Sequence, residues 1–279
     1  MNLSDKILSA ERKFKKPLED FFTTAWGNTI LASHDIDHHR RVWHYSKELL
    51  AETDPLVFTS EPDLAQKLII ACYLHDIGMS EDPGTEHGKP GREKCREFLL
   101  NNNLTIDDNQ DVLNAILNHD KKEYIDRNNG NFLQIILSVS DDLDAFGYIG
   151  IYRYTEIYLA RGVPKRVIGD RIRENARKRY LNFLAIFGSR QGIIERHEPR
   201  YFLLDNFFNS YNQKSEGYNF NDNNPSGHCG VIDLISEISD NRTSLDKILS
   251  ARQRFSGDPV ISSFLTGLSL EMNESHQVR

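Results

Sequence analysis

The sequence predicts an all-α protein, a helical bundle followed by a C-terminal helical extension. Three observations carry that expectation. Apolar residues recur at helical spacing along most of the chain. No segment keeps a period-two alternation for long, so strands are not expected. Two apolar stretches close on a histidine–aspartate pair, His75-Asp76 and His119-Asp120, where a helix would stop.

The first helix is expected over residues 3 to 25, where Leu3, Ile7, Phe14, Leu18, Phe21 and Phe22 share a face between Lys and Glu residues. A break containing Gly27 and Asn28 follows. Asp35 or Asp37 is a good N-cap for the second helix, which runs to about Ala51 and buries Val42, Tyr45 and Leu49. His38 stands one turn before Val42 and leans toward the core; His39 and His44 point elsewhere, as surface or supporting residues. After a loop from Thr53 to Pro62, the run Leu68-Ile69-Ile70-Ala71-Cys72-Tyr73-Leu74 reads as a buried helix, with Gly78 as its stop.

Met79 to Pro90 is a polar loop carrying Glu86-His87. Helices follow at 91 to 101 and from about 109 to His119, and 120 to 131 is charged and loop-like. An apolar stretch from Phe132 keeps a helical pattern to Ala160, with Asp141, Asp142 and Asp144 inside it. Asp142 and Asp144 read as a capped helix junction. Residues 165 to 187 form a basic amphipathic helix with Arg166, Arg171, Arg173, Arg177, Lys178 and Arg179, a charge pattern that is ordinarily a solvated face. An aromatic helix is expected from 190 to 210, an Asn-rich loop near 209–227, and three helices near 230–240, 244–254 and 258–270. The implied organisation is an N-terminal helix in 1–29 packing on a core of 30–190, then the extension 191–279.

Composition bounds the class. The chain has 279 residues, 39% of them hydrophobic, and a net charge of -7, which argues against a nucleic-acid scaffold. Cys72, Cys95 and Cys229 are scattered, with no paired spacing, so a reducing compartment is the better expectation. The N-terminus starts polar, and no run approaches the roughly 18 apolar residues of a membrane span. A cytoplasmic protein is expected.

The chemistry centres on His75-Asp76. A histidine and an aspartate closing a buried run are costly unless something binds them. Imidazole nitrogen beside carboxylate oxygen suits Zn, Mn, Fe or Ni. Two adjacent residues cannot make a site alone. The Glu86-His87 loop and the His119-Asp120 helix end offer further ligands.

His38 with Arg41-Val42, then His75-Asp76, then Asp141 in Ser140-Asp141-Asp142-Leu143 together resemble the HD-domain superfamily of metal-dependent phosphohydrolases. The resemblance spans roughly residues 30 to 190 and implies a metal-binding helical domain there. It implies that His38, His75, Asp76 and Asp141 hold one divalent metal. His87 and His119 stand where two-metal members place further ligands, and Asp76 would then bridge. The metal, one or two per chain, could be Mn, Zn, Ni, Mg or Fe.

By the same resemblance the expected activity is hydrolysis of a phosphoester, in a nucleotide or related small molecule, by a metal-activated water. Asp76 or Glu86 would guide the proton, and Lys89, Lys122 and Arg153 would hold phosphate oxygens. Two other readings use the same residues: a di-iron oxygenase of the same fold, and a non-catalytic nucleotide-sensing module. One departure bears on substrate. Cyclic-dinucleotide phosphodiesterases of the family carry a lysine where Met79 stands and a His-His-Glu triplet where Asn118-His119-Asp120 stands. That lysine would stabilise transition-state charge. The aromatic C-terminal helices could form an interface between copies of the chain.

Overall fold

The run from Leu68 to Leu74 is apolar all round, and a helix that carries it belongs in the middle of a bundle rather than on its surface. In the computed structural model that helix is the third of twelve α-helices among the described residues, which contain no strand. Those residues are 2–27, 29, 31–53, 61–120, 132–220, 224–240, 242–250 and 252–277. They fall into two compact units. The first comprises Met1–Thr29, His34–Leu143 and Asn182–Ile193; the second comprises Ile30–Ser33, Asp144–Leu181 and Ile194–Arg279.

In the first unit, helix α1 (Leu3–Trp26) starts where the Asn2 side chain accepts from Asp5 N at 2.9 Å. Its buried residues Ala10, Phe14, Leu18, Phe22 and Trp26 recur every four positions, giving one stripe. Helix α2 (Ile36–Ala51) is capped by Asp35, and α3 (Leu64–Leu74) is buried along nearly its whole length. A 3-10 turn (Ile77–Ser80) follows. Helices α4 (Gly88–Asn101) and α5 (Gln110–Asn118) complete this half. α3 packs against α1, α2, α4 and α5, which is why its sequence shows no polar residue after Gln66 and Lys67 in the first turn. Leu68 at its centre is fully buried, and truncating such a residue to alanine costs about 2–5 kcal/mol.

Helix α6 (Phe132–Asp144) joins α2 through a buried polar tether. Ser46 Oγ donates to Ser140 Oγ at 2.7 Å and lies 3.1 Å from Cys72 Sγ on α3. Three helices are thereby pinned together, α3 and α6 within one turn of His75 and Asp141.

The second unit begins with a difference from expectation. The helical pattern that runs from Phe132 to Ala160 is two helices, because the backbone turns at Ala145-Phe146 and Gly147 takes φ +74°. That angle is open to glycine at little cost. Helix α7 (Gly147–Ala160) starts there, and its first free N–H groups are satisfied by Glu271, which accepts from Tyr148 N at 3.1 Å and Ile149 N at 2.9 Å. Helix α8 (Lys165–Phe187) engages much of its basic face locally: Arg173 pairs with Asp205, and Arg166 donates to the Ser215 and Glu216 carbonyls.

Helix α9 (Gln191–Ser215) runs further than composition suggests. Residues 209–215 are helical although rich in Asn, because Phe208, Tyr211 and Ser215 extend the buried stripe of Leu204. The expected loop therefore starts after Ser215. Helices α10 (Gly227–Ser239), α11 (Leu245–Ser250) and α12 (Pro259–Gln277) follow; α7 packs on α10 and α12. Tyr180 and Tyr201 stack at 4.0 Å inside this unit. Among the described residues, no helix is long and apolar enough to cross a membrane.

Candidate metal centre

Three histidines of the first unit sit just past the end of a helical turn and fold back on it in the same way. His75 Nδ1 lies 2.9 Å from the Cys72 carbonyl, His87 Nδ1 2.7 Å from that of Gly84, and His119 Nδ1 2.7 Å from that of Ile116. In each case the carbonyl is three residues earlier: those of Cys72 and Ile116 are among the acceptors a helix end leaves without an intrahelical donor, and that of Gly84 lies in the turn that leads into α4. A carbonyl can only accept, so in the neutral ring each Nδ1 carries the proton and each Nε2 presents a lone pair, whereas a protonated ring donates from Nε2 as well.

Those lone pairs converge. His38 Nε2 and His75 Nε2 lie 3.1 Å apart, each within 3.4 Å of Asp76 Oδ2 (3.4 and 3.3 Å). Asp141 Oδ1 is 3.7 Å from His38 Nε2 and 3.9 Å from His75 Nε2. On the other side of the same carboxylate, Asp76 Oδ1 is 2.9 Å from His119 Nε2 and 3.1 Å from His87 Nε2, which are 3.1 Å from each other. The donors thus form two groups, His38/His75/Asp76/Asp141 and Asp76/His87/His119, all buried and sharing Asp76.

This donor set fits divalent metal. Bare imidazole nitrogens facing each other at 3.1 Å repel unless a cation or proton lies between them. Ligands at about 2.0–2.1 Å from one ion stand about 3 Å from their neighbours around it. Both groups approach that spacing. The charge balance agrees. Burial pushes Asp76 up, but the charge of His75 and hydrogen bonds from His119, His38 and His75 outweigh it and hold the carboxyl well below its usual range. Burial lowers His87, yet its hydrogen bond to Asp76 and the charges of Asp76 and Asp120 raise it to about 9. His75 is raised as well, burial being outweighed by Asp76 and Asp141.

The other residues singled out in the sequence lie elsewhere. Glu86 and Lys89 are exposed and pair with each other at 2.6 Å, outside both donor groups. Arg153 belongs to the second unit, where its Nη1 is 3.1 Å from Asp144 Oδ2; both are buried. Lys122 lies outside the described residues.

Of the two readings open for His39, surface or supporting residue, the structure gives the supporting one, and it adds His34, which is not among the residues singled out in the sequence. His39 is fully buried, its Nδ1 3.1 Å from the Cys72 carbonyl that also receives His75. Burial, then the neighbouring His75 and His38, push its pKa well down, so it is a neutral brace. His34 is buried with its ring edge-on to His38, centroids 5.4 Å apart. The run His34, His38, His39 at helical spacing beside an N-cap was the available signal. Asp120, visible in sequence only as half of a doublet, places Oδ2 3.7 Å from His87 Nε2 with its side chain 35% exposed.

Fold and cluster together define a class: all-α proteins with buried His/Asp groups at metal-binding distance. Within that class, residues 35–145 match the family model for the HD domain. The match begins at the cap of α2, ends just past Asp141 and encloses all six donors. No curated protein and no solved structure matches the chain.

Proposed function

We propose that the chain is a metal-dependent phosphohydrolase acting on a phosphoester, in a nucleotide or a related small phosphorylated molecule. One observation carries the reading: Asp76 divides its two oxygens between two groups of buried imidazoles. His38, His75 and Asp141 would hold one divalent ion, His87 and His119 a second, and Asp76 both. Ions so held polarise a phosphoryl oxygen and make water acidic enough to react near neutral pH.

The protein's own groups then take defined parts. Asp76, held well below the carboxylate range, stays an anionic ligand and is a poor base. Asp120 is the better placed proton acceptor, since it borders His87 and meets solvent. Glu86, one residue before His87, remains a second candidate for that task, and Lys89 and Lys122 candidates for phosphate binding. Arg153, paired with Asp144, has a weaker claim.

The test starts with elemental analysis of protein purified without added metal, then a screen of nucleotides and phosphodiesters with Mn or Ni added. Metal-dependent phosphate release, abolished by His75→Ala with Asp76→Ala while helicity persists, is the expected result. Bound iron with an oxygen-dependent spectrum and no hydrolysis would replace the reading with oxygen activation. Bound metal with neither activity would replace it with a sensing module.

A further inference from the structure

The second donor group depends on three backbone segments approaching more closely than side chains allow. His87 sits on the turn between the 3-10 segment after Asp76 and α4, and must reach both Asp76 and His119. Two glycines stand at those contacts. A Cβ at Gly78 would overlap the His87 carbonyl oxygen and come within 2.5 Å of Gly91 N. A Cβ at Gly88 would lie 2.6 Å from the Leu117 carbonyl oxygen and 3.3 Å from that of Ile116, the acceptor that orients His119. The atoms met are backbone, which has little freedom to give way. Neither glycine lies in the left-handed region, so space, not backbone angle, excludes a side chain.

We propose that Gly78 and Gly88 are positioning residues that set the metal stoichiometry of the centre: they hold the His87 turn against the Asp76 turn and the end of α5, and so assemble the second half-site without serving the first. The inference rests on the two-ion reading above. A methyl group at Gly88 lifts His87 away from His119 and Asp76. The nearest atoms to a Cβ at Gly88 are all backbone of Ile116 and Leu117 on α5, whereas His38 and Asp141 stand on α2 and α6 and His75 just past α3. Gly78 acts on the same turn from the other side, so both positions should give one phenotype.

The experiment is titration of metal-free protein with Mn²⁺, free Mn²⁺ being read by electron paramagnetic resonance and helicity by circular dichroism. The wild-type chain should bind two ions. Gly88→Ala should keep its helicity and one tight ion, with the second weakened about 10- to 100-fold, the loss typical when a support of a metal ligand is removed. His87→Ala should show the same single tight ion, and high Mn²⁺ should restore the second ion in Gly88→Ala only. Two equally tight ions in Gly88→Ala would overturn the inference while leaving the two-ion reading intact. Loss of both ions together, or of the helical signal, would also overturn it, by making the glycine a requirement of the fold. A wild-type chain that binds a single ion would sink the two-ion reading, and this inference with it.

Discussion

His87 Nε2 and His119 Nε2 face each other at 3.1 Å, and each ring has committed its other nitrogen to a carbonyl three residues earlier. With both rings neutral, neither can turn its proton into the gap without losing that bond; only an added proton or a cation fills it. The pair is therefore a ligand set waiting for positive charge, and Asp76 Oδ1 completes it.

His119→Ala should remove one of two metals per chain, because it strips the second group of a donor and leaves His38, His75 and Asp141 in place. Asp76→Ala should weaken both, since both groups draw on its oxygens. Elemental analysis of the two variants decides. Two ions retained in His119→Ala would mean that His87 and His119 form a hydrogen-bonded pair, not a ligand set.

The pH dependence follows from His87. Metal-free, its pKa is raised from 6.5 to about 9, so the ring is protonated at pH 7. Its pairing with Asp76 adds stability that is fully present below pH 6.5 and is lost as pH rises through about 9. A metal needs the bare nitrogen, so binding at this group releases a proton below pH 9. Affinity there should rise about tenfold per pH unit between pH 7 and 8 and level off above 9. Calorimetry in buffers of different ionisation heat reads the proton directly. Binding that releases none at pH 7 would contradict the assignment.

Metal removal should lower thermal stability more at alkaline than at neutral pH, because the proton that replaces the ion at His87 is itself lost there. At free metal a hundred times Kd, a bound ion adds about 2.7 kcal/mol per site. Thermal melts with and without chelator at pH 7 and pH 9.5 should show the larger gap at the higher pH. Equal gaps would place the stabilising charge elsewhere.

Much of this was legible from residue order. The all-round apolar run of α3 announced a central helix, and the doublets at its end and at the end of α5 announced donors at helix termini, where carbonyls are left over to orient them. What sequence left open has physical reasons. The break between α6 and α7 was hidden in a continuous apolar pattern, because a single glycine, Gly147 at φ +74°, follows the turn that makes it. Burial of His39 depends on Phe22 of α1, whose ring lies 4.5 Å away and is 17 positions distant in sequence. The pairing of exposed Lys89 with Glu86, three residues earlier, could not be told from residue order either, because it depends on how the turn at His87 aims the two side chains. Helix α9 outran its asparagines because three buried positions outweighed their weak helix preference.

Asp35 offers a test of how the first donor group is held. Its Oδ1 accepts from Asp37 N at 3.0 Å and His38 N at 3.3 Å, so the carboxylate fixes the turn on which His38 stands. Burial raises the Asp35 pKa against the opposing pull of Arg41 and those backbone bonds. An amide oxygen accepts the same bonds. Asp35→Ala should cost about 1 kcal/mol of stability, the usual loss for an N-cap. It should also loosen His38 and weaken the first ion about 10- to 100-fold, as loss of a ligand's support does. The His87/His119 group should keep its affinity, because it shares no element with α2. Asp35→Asn should restore both stability and metal. If the asparagine variant fails as badly as alanine, the charge of Asp35, acting with Arg41, holds His38 in place, and the capping argument is wrong.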